Sequence, residues 1–317
     1  MKRALAAIGF VGAAAVAVVL VANAAVTGNV IPRSGGTDVV PGFVPAGAPL
    51  GQIGTDPDDP EDPWSAAAPP GGVVVQTPGP SASPGSVGTL RVPLPKNLPT
   101  GPRRVGIQVG HWKTDEAPTE LDKLVVQTGA SWEGVNEVDV NLDIAQRVAV
   151  ILNARGIAVD ILPTTVPSGY LADAVVALHA DSDGVGENSG FKMAHNARRG
   201  TYEDALLAAI KSTYAKATGL DYDATHISRS MTGYYIYSWT RFQHAVSPFT
   251  PGVILEMGYL SNDDDRALLL DKPDLLAQGI SDGILRFLSD TPRAKIFEKD
   301  LVVPAFPSRP PAPTATP

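Results

Sequence analysis

The sequence predicts an α/β fold: a three-layer α/β/α domain with a twisted, mostly parallel central sheet. Short apolar runs of strand length alternate along the chain with longer runs whose apolar residues recur every three or four positions. Parallel strands need a long crossover before the next strand can start, and a helix is the usual one, so this alternation is what such a sheet requires. The alternation is confined to residues 103–290, between Pro-rich flanks, and that length fits one domain with its own core.

Taken in order, residues 103–109 form an apolar run suited to a buried strand. Residues 138–154 place Leu142, Ala145, Val148, Ala149 and Leu152 on one helical face, and Gly156 serves as the C-cap. Residues 157–162 and 174–179 read as strands, 201–218 as a second helix ended by Gly219, and 252–256 as a further apolar strand. Residues 274–288 read as the last helix, while Asn262 and Asp263 to Asp265 supply a capping side chain and dipole-matched charges for a helix start. No internal repeat is present.

The flanks are of another kind. In residues 1–26, Lys2 and Arg3 precede an apolar stretch, and Ala22-Asn23-Ala24 fits a small-x-small cleavage site. Signal peptide and membrane anchor are both compatible with it, and both put the rest of the chain outside the cytoplasm. Residues 27–102 are rich in Pro and Gly, bury too little to offset the entropy of ordering, and read as a disordered linker. The acidic run at 56–62 belongs to it, with a short strand at 72–76 as an optional element. Residues 291–317 read as a Pro-rich tail. The expectation is a secreted or membrane-tethered monomer that meets a membrane only through its N-terminal segment.

A net charge of −8 argues against a nucleic-acid partner, which needs a basic face. The absence of cysteine excludes disulfides, thiolate nucleophiles and Cys-ligated zinc, so any metal must be held by His and carboxylates. His111 follows the first strand, Glu137 opens the first helix, His179 ends the third strand and Glu256 ends the last. In open α/β sheets the ligand site lies at the carboxyl ends of the strands, so these four share one rim. Read singly, His111 caps a strand, Glu137 answers a helix dipole and His179 is a core histidine bonded to backbone. Glu256 is harder to place that way, because a carboxylate in Val253-Ile-Leu-Glu-Met257 needs partners or a raised pKa. Jointly, two imidazoles and a carboxylate are a recurrent catalytic Zn2+ set with a position left for water, and a further carboxylate can move the proton.

Four stretches resemble the zinc-dependent N-acetylmuramoyl-L-alanine amidases of the type named amidase 3. They are Val105-Gly-Ile-Gln-Val-Gly-His111, Asn136-Glu-Val-Asp-Val-Asn-Leu-Asp-Ile-Ala145, Val176-Ala-Leu-His-Ala-Asp181 and Val253-Ile-Leu-Glu-Met-Gly-Tyr-Leu-Ser-Asn262. The resemblance implies an amidase 3-like, zinc-exopeptidase-like fold, His111, Glu137 and His179 as zinc ligands and Glu256 as catalytic glutamate. It implies hydrolysis of the amide between the lactyl group of N-acetylmuramic acid and L-alanine in peptidoglycan. The chain departs from the family where Trp112 and Lys113 replace two glycines after the first ligand, where an Arg has no counterpart in 162–170, and where Asp181 replaces an Asn. Trp112 stacking on a sugar and His244 orienting substrate are further expectations, each weighed against plain packing. Glu133 is a substitute ligand candidate, His195 and His226 read as surface groups, and Ser189-Gly-Phe-Lys192 lacks the companion elements of a penicillin-binding site. A non-catalytic wall-binding module and a zinc peptidase acting on the stem peptide are the alternative functions.

Overall fold

The computed structural model describes residues 89–196 and 202–304. The apolar N-terminal segment, most of the linker with its optional strand at 72–76, and the end of the tail lie outside the described residues. In chain order the strands and first helix are β1 (Thr89–Val92), β2 (Arg104–Val109), β3 (Ser131–Trp132), β4 (Val135–Asn136), α1 (Glu137–Asn153), β5 (Ala158–Leu162), β6 (Ala174–Asp181) and β7 (Lys192–Ala194). They continue with α2 (Tyr202–Thr218), α3 (Arg229–Thr232), β8 (Gly252–Tyr259), α4 (Asp263–Asp271), α5 (Pro273–Asp290), α6 (Arg293–Ile296) and β9 (Leu301–Pro304). Short 3-10 segments fill Thr114–Glu116, Thr119–Val126 and Tyr235–Tyr237.

The central sheet has the order β5-β2-β6-β8-β7. Every neighbouring pair is parallel except β7 against β8, so the sheet is mixed with one antiparallel edge. Side chains on a strand alternate between faces. Val105, Ile107 and Val109 of β2, Val176 and Leu178 of β6, and Val253 and Leu255 of β8 enter one core, with buried residues of α1, α2 and α5. Val175 and Ala177 of β6 and Ile254 of β8 enter a second core with Leu121, Leu124, Met231 and Tyr234 to Tyr237. The three layers are therefore unequal. Long helices cover the first face, and α3 with two of the 3-10 segments covers the second.

The helices form for local reasons. In α1 the buried residues Val140, Ile144, Ala145, Val148, Ala149 and Leu152 recur at spacings of three and four. Gly156, at φ 77°, turns the chain out of the helix in a conformation that suits glycine. In α4 the side chain of Asn262 accepts from the amides of Asp264 and Asp265 as an N-cap, and Pro273 opens α5 at a position where its missing N–H costs nothing.

Two boundaries differ from the sequence expectation. Residues 89–102, expected as disordered linker, and 291–304, expected as Pro-rich tail, are tied together in the structure. β1 and β9 pair antiparallel, with Leu90 opposite Val303 and Val92 opposite Leu301. Asp300 accepts from Arg91 Nε at 2.9 Å and from the Leu94 amide at 3.0 Å. Arg293 donates to the carbonyls of Pro99, Gly101 and Pro102. Each segment is too short and breaker-rich to order itself; the partner lies some 200 residues away, which local composition does not register.

Asp173 anchors this seam beneath the sheet. Its carboxylate is fully buried and pairs with Arg103 at 2.6 Å and Arg293 at 2.6 Å. It also accepts from the Arg104 amide at 2.7 Å, at the start of β2. Asp173→Ala leaves two guanidiniums facing each other without an anion. We expect it to cost about 3–5 kcal/mol in equilibrium urea unfolding, and a loss under about 1 kcal/mol, the range of an exposed pair, would refute the anchoring role.

Candidate active site

In the sheet order, β2 leads through α1 to β5 on one side, and β6 joins it on the other. That is a switch point, and the crevice at the carboxyl ends of β2 and β6 is where an open α/β sheet binds ligands. His111 sits just past the end of β2 and His179 near the end of β6. Alternation puts His179 on the second face, and it stands in register opposite Glu256 of β8. Glu137, the first residue of α1, closes the group from the side.

One ligand atom from each of His111, Glu137 and His179 lies within 4.8 Å of the others, forming a cluster that could hold a metal ion. Glu137 Oε1 is 2.9 Å from His179 Nδ1 and 3.4 Å from His111 Nε2. Among the described residues this is the group with that geometry. Glu133, the substitute candidate, instead receives Arg266 at 2.6 Å on the surface.

Each member is held from behind, as metal ligands are when an outer partner fixes their orientation. The His111 ring places Nδ1 2.7 Å from the Gln127 carbonyl, which can only accept, so Nε2 is left to face the cluster. Glu137 Oε2 accepts from the Ala130 amide at 2.8 Å, and Oε1 from Asn141 Nδ2 and the Ala180 amide, each at 3.3 Å. His179 Nε2 meets the Tyr234 hydroxyl at 2.7 Å. Gly110 makes room for this, since a Cβ there would overlap the His179 ring. The donor set, its spacing and its outer partners fit a borderline divalent ion held by two imidazoles and a carboxylate.

The electrostatics point the same way. Burial opposes ionisation of Glu137, but the His111 and His179 imidazoles and the Ala130 amide outweigh it and hold the carboxyl well below its usual range. Burial lowers the His179 pKa, against the pull of Glu137, a direction that favours the neutral ring. An ionised carboxylate and a neutral imidazole are the forms that bind metal.

Glu256 is only half-buried and lines the same cavity as His111 and His179. Desolvation, with the nearby Asp181 and Glu137 carboxylates, raises its pKa well above the ordinary value, while the Lys192 amine opposes that rise. Lys192 opens β7 opposite Glu256, and its buried ammonium pairs with Asp181. The acid at 181, where the resembled family has Asn, is thus paired with the lysine of the Ser189-Gly-Phe-Lys192 run, which lacks the companion elements of a penicillin-binding site. Leu124, Met231, Tyr235 and Ile254 give the cavity apolar walls, and Thr114, Thr164, Ser228 and Ser230 add hydroxyls.

The two expected substrate residues are not among those lining this cavity. Trp112 packs against the main core, with Lys113 Nζ 5.4 Å from its ring centroid, and is not among the cavity lining. His244 also lies outside the lining; its Nδ1 is 2.7 Å from Glu120 Oε1, and the same carboxylate accepts the His244 amide. The Trp112-Lys113 departure carries a backbone cost. Lys113 adopts a φ of 59°, a region where glycine is at ease and a side chain is not. Sequence reasoning missed Tyr234, Gln108 and Asn141. Gln108 left a trace, as a polar residue inside an apolar strand, and Asn141 another, four positions along α1 from Glu137.

A three-layer α/β domain with a largely buried His-Glu-His cluster and a second carboxylate beside it has the form of a hydrolase. The sequence profile described as N-acetylmuramoyl-L-alanine amidase matches residues 105–286, more than half of the chain, and the chain belongs to that family, whose reaction is amide hydrolysis in cell-wall peptidoglycan. Among solved structures, the catalytic domain of CwlV, an N-acetylmuramoyl-L-alanine amidase from Bacillus (Paenibacillus) polymyxa var. colistinus, is 25% identical; the match covers 60% of this chain and 99% of that one, with a TM-score of 0.41. AmiC2 of Nostoc punctiforme, also an N-acetylmuramoyl-L-alanine amidase, is 21% identical over 60% of this chain and 99% of its own, with a TM-score of 0.41. The amidase Ami1 from Mycobacterium smegmatis is 20% identical over 60% and 98%, with a TM-score of 0.45. No curated protein matched the chain.

Proposed function

We propose that this chain is a zinc-dependent N-acetylmuramoyl-L-alanine amidase working outside the cytoplasm, with His111, Glu137 and His179 as ligands and Glu256 as general base. The observation that carries the reading is the convergence of three ligand atoms within 4.8 Å beside a cavity that Glu256 also lines. When bound, zinc would polarise the scissile carbonyl and bring the pKa of water towards neutrality. Glu256 takes the proton of the attacking water and returns it to the departing alanine nitrogen. Burial and the Asp181 and Glu137 carboxylates raise the pKa of this carboxyl, the direction that favours taking up a proton. Glu137 and the two imidazoles keep their positions through the contacts behind them. The family match supports the substrate, and the basic-then-apolar N-terminus supports export.

The test is digestion of purified peptidoglycan by the full chain, with products read by mass spectrometry. We expect intact stem peptides with free L-alanine amines beside unbroken glycan, loss of that product after chelation, and its return on adding zinc. Shortened peptides would make the protein a stem-peptide peptidase, and wall binding without any cleavage would make it a binding module. Either result would overturn the proposal.

A further inference from the structure

The hydrogen bond behind His179 differs in kind from those behind the other two ligands. Gln127 offers His111 a carbonyl, which can only accept, and Ala130 offers Glu137 an amide, which can only donate. Tyr234 offers His179 a hydroxyl, which can do either. Which way it points decides which nitrogen of the ring carries the hydrogen.

We propose that Tyr234 is the positioning residue of His179: its hydroxyl accepts the Nε2 hydrogen of the imidazole and gives its own hydrogen to Gln108. The Nδ1 lone pair is thereby presented to the metal cluster. This inference rests on the metal reading above and adds a residue to it.

The path is short and enclosed. His179 Nε2 to Tyr234 Oη is 2.7 Å, and Tyr234 donates to Gln108 Oε1 at 3.2 Å. The two rings meet edge to face, with centroids 5.3 Å apart. Gln108 is fully buried, and its Nε2 donates to the Val109 carbonyl at 3.2 Å, which turns Oε1 towards Tyr234. A hydroxyl has one hydrogen. With that hydrogen on Gln108, Oη can only accept from His179, and Nδ1 is left bare 2.9 Å from Glu137 Oε1. Two acceptors that close need a cation between them, which is the arrangement a metal ion completes.

The alternative is equally definite. Without the hydroxyl, a buried Nε2 hydrogen faces no acceptor among the described contacts of His179, and such a donor is costly to leave unpaired. The ring then takes the other tautomer, with Nδ1–H donating to Glu137, and the ligand lone pair is blocked. Strand alternation explains why these groups meet: Gln108 of β2 and His179 of β6 point to the same face, and the Tyr234 segment packs over it.

The test measures zinc dissociation constants by competition with a chromophoric chelator, together with long-range proton–nitrogen spectra of the zinc-loaded protein. We expect Tyr234→Phe to weaken zinc by about 10–100-fold, the range seen when an outer partner of a ligand is lost. Gln108→Leu should weaken it in the same direction. Tyr214→Phe, whose buried hydroxyl binds the Met257 carbonyl at 2.7 Å in the core on the other face of the sheet, should leave zinc affinity unchanged. In the native protein the His179 signal should show the hydrogen on Nε2. Unchanged zinc affinity in Tyr234→Phe, whether or not its KM moves, overturns the proposal, as does a hydrogen on Nδ1 in the loaded native protein. Should Tyr234→Phe fail to fold, Gln108→Leu decides by the same criterion. A native chain that takes up no zinc defeats the metal reading itself, and that result is distinct from any difference between variants.

Discussion

Replacing Glu256 with Gln is expected to lower kcat for peptidoglycan hydrolysis by about 10²–10⁴-fold, the contribution of a positioned acid–base group. The bound metal should stay. Glu256 stands opposite His179 on the neighbouring strand and lines the cavity, yet it is not a member of the ligand cluster. Gln keeps the shape and loses only the ability to take a proton. Metal content by atomic emission should therefore match the native protein while product release collapses. Activity within a few-fold of native would remove Glu256 from the mechanism, and loss of metal would make it a ligand instead.

Glu137→Ala should do the reverse. It removes the oxygen that lies 2.9 Å from His179 and 3.4 Å from His111. We expect zinc affinity to fall by more than the roughly 10–100-fold typical of an outer partner, and catalysis to disappear with it. The apoprotein should also lose stability, because the Ala130 amide loses its acceptor, at about 1–3 kcal/mol for an unpaired donor. Competition titration and urea unfolding read the two effects separately. A variant that holds one zinc ion at native affinity would exclude Glu137 from the ligand set.

These opposite outcomes separate two carboxylates that the sequence had already distinguished. Glu137 opens a helix and Glu256 interrupts an apolar strand, so each had a different local reason to be noticed. His111 and His179 were legible because both fall at strand ends on one rim. The support behind them was not. Asn141 stands four positions along α1 from Glu137, a spacing the helix pattern carries, but only folding brings the same amide to the Gly110 carbonyl. Lys192 is a further case, since its role depends on the antiparallel pairing of β7 with β8.

Local pattern by itself determined the order of the four parallel strands and the three long helices, their approximate ends and the chemical types at the rim. Periodicity of two or three to four residues is a property of neighbours in the chain, so it survives without coordinates. Tertiary structure alone decided the rest. It joined residues 89–102 to 291–304, moved Trp112 and His244 out of the cavity lining, and brought Gln108 and Tyr234 behind His179. The physical reason is the same in each case: such contacts link residues tens to hundreds of positions apart, and no local periodicity encodes which of them will meet. For the opening fold class the consequence is specific. Alternation predicted three layers, and only the packed structure showed that the thin one, built of short segments and tyrosines, covers the face that carries His179 and Glu256.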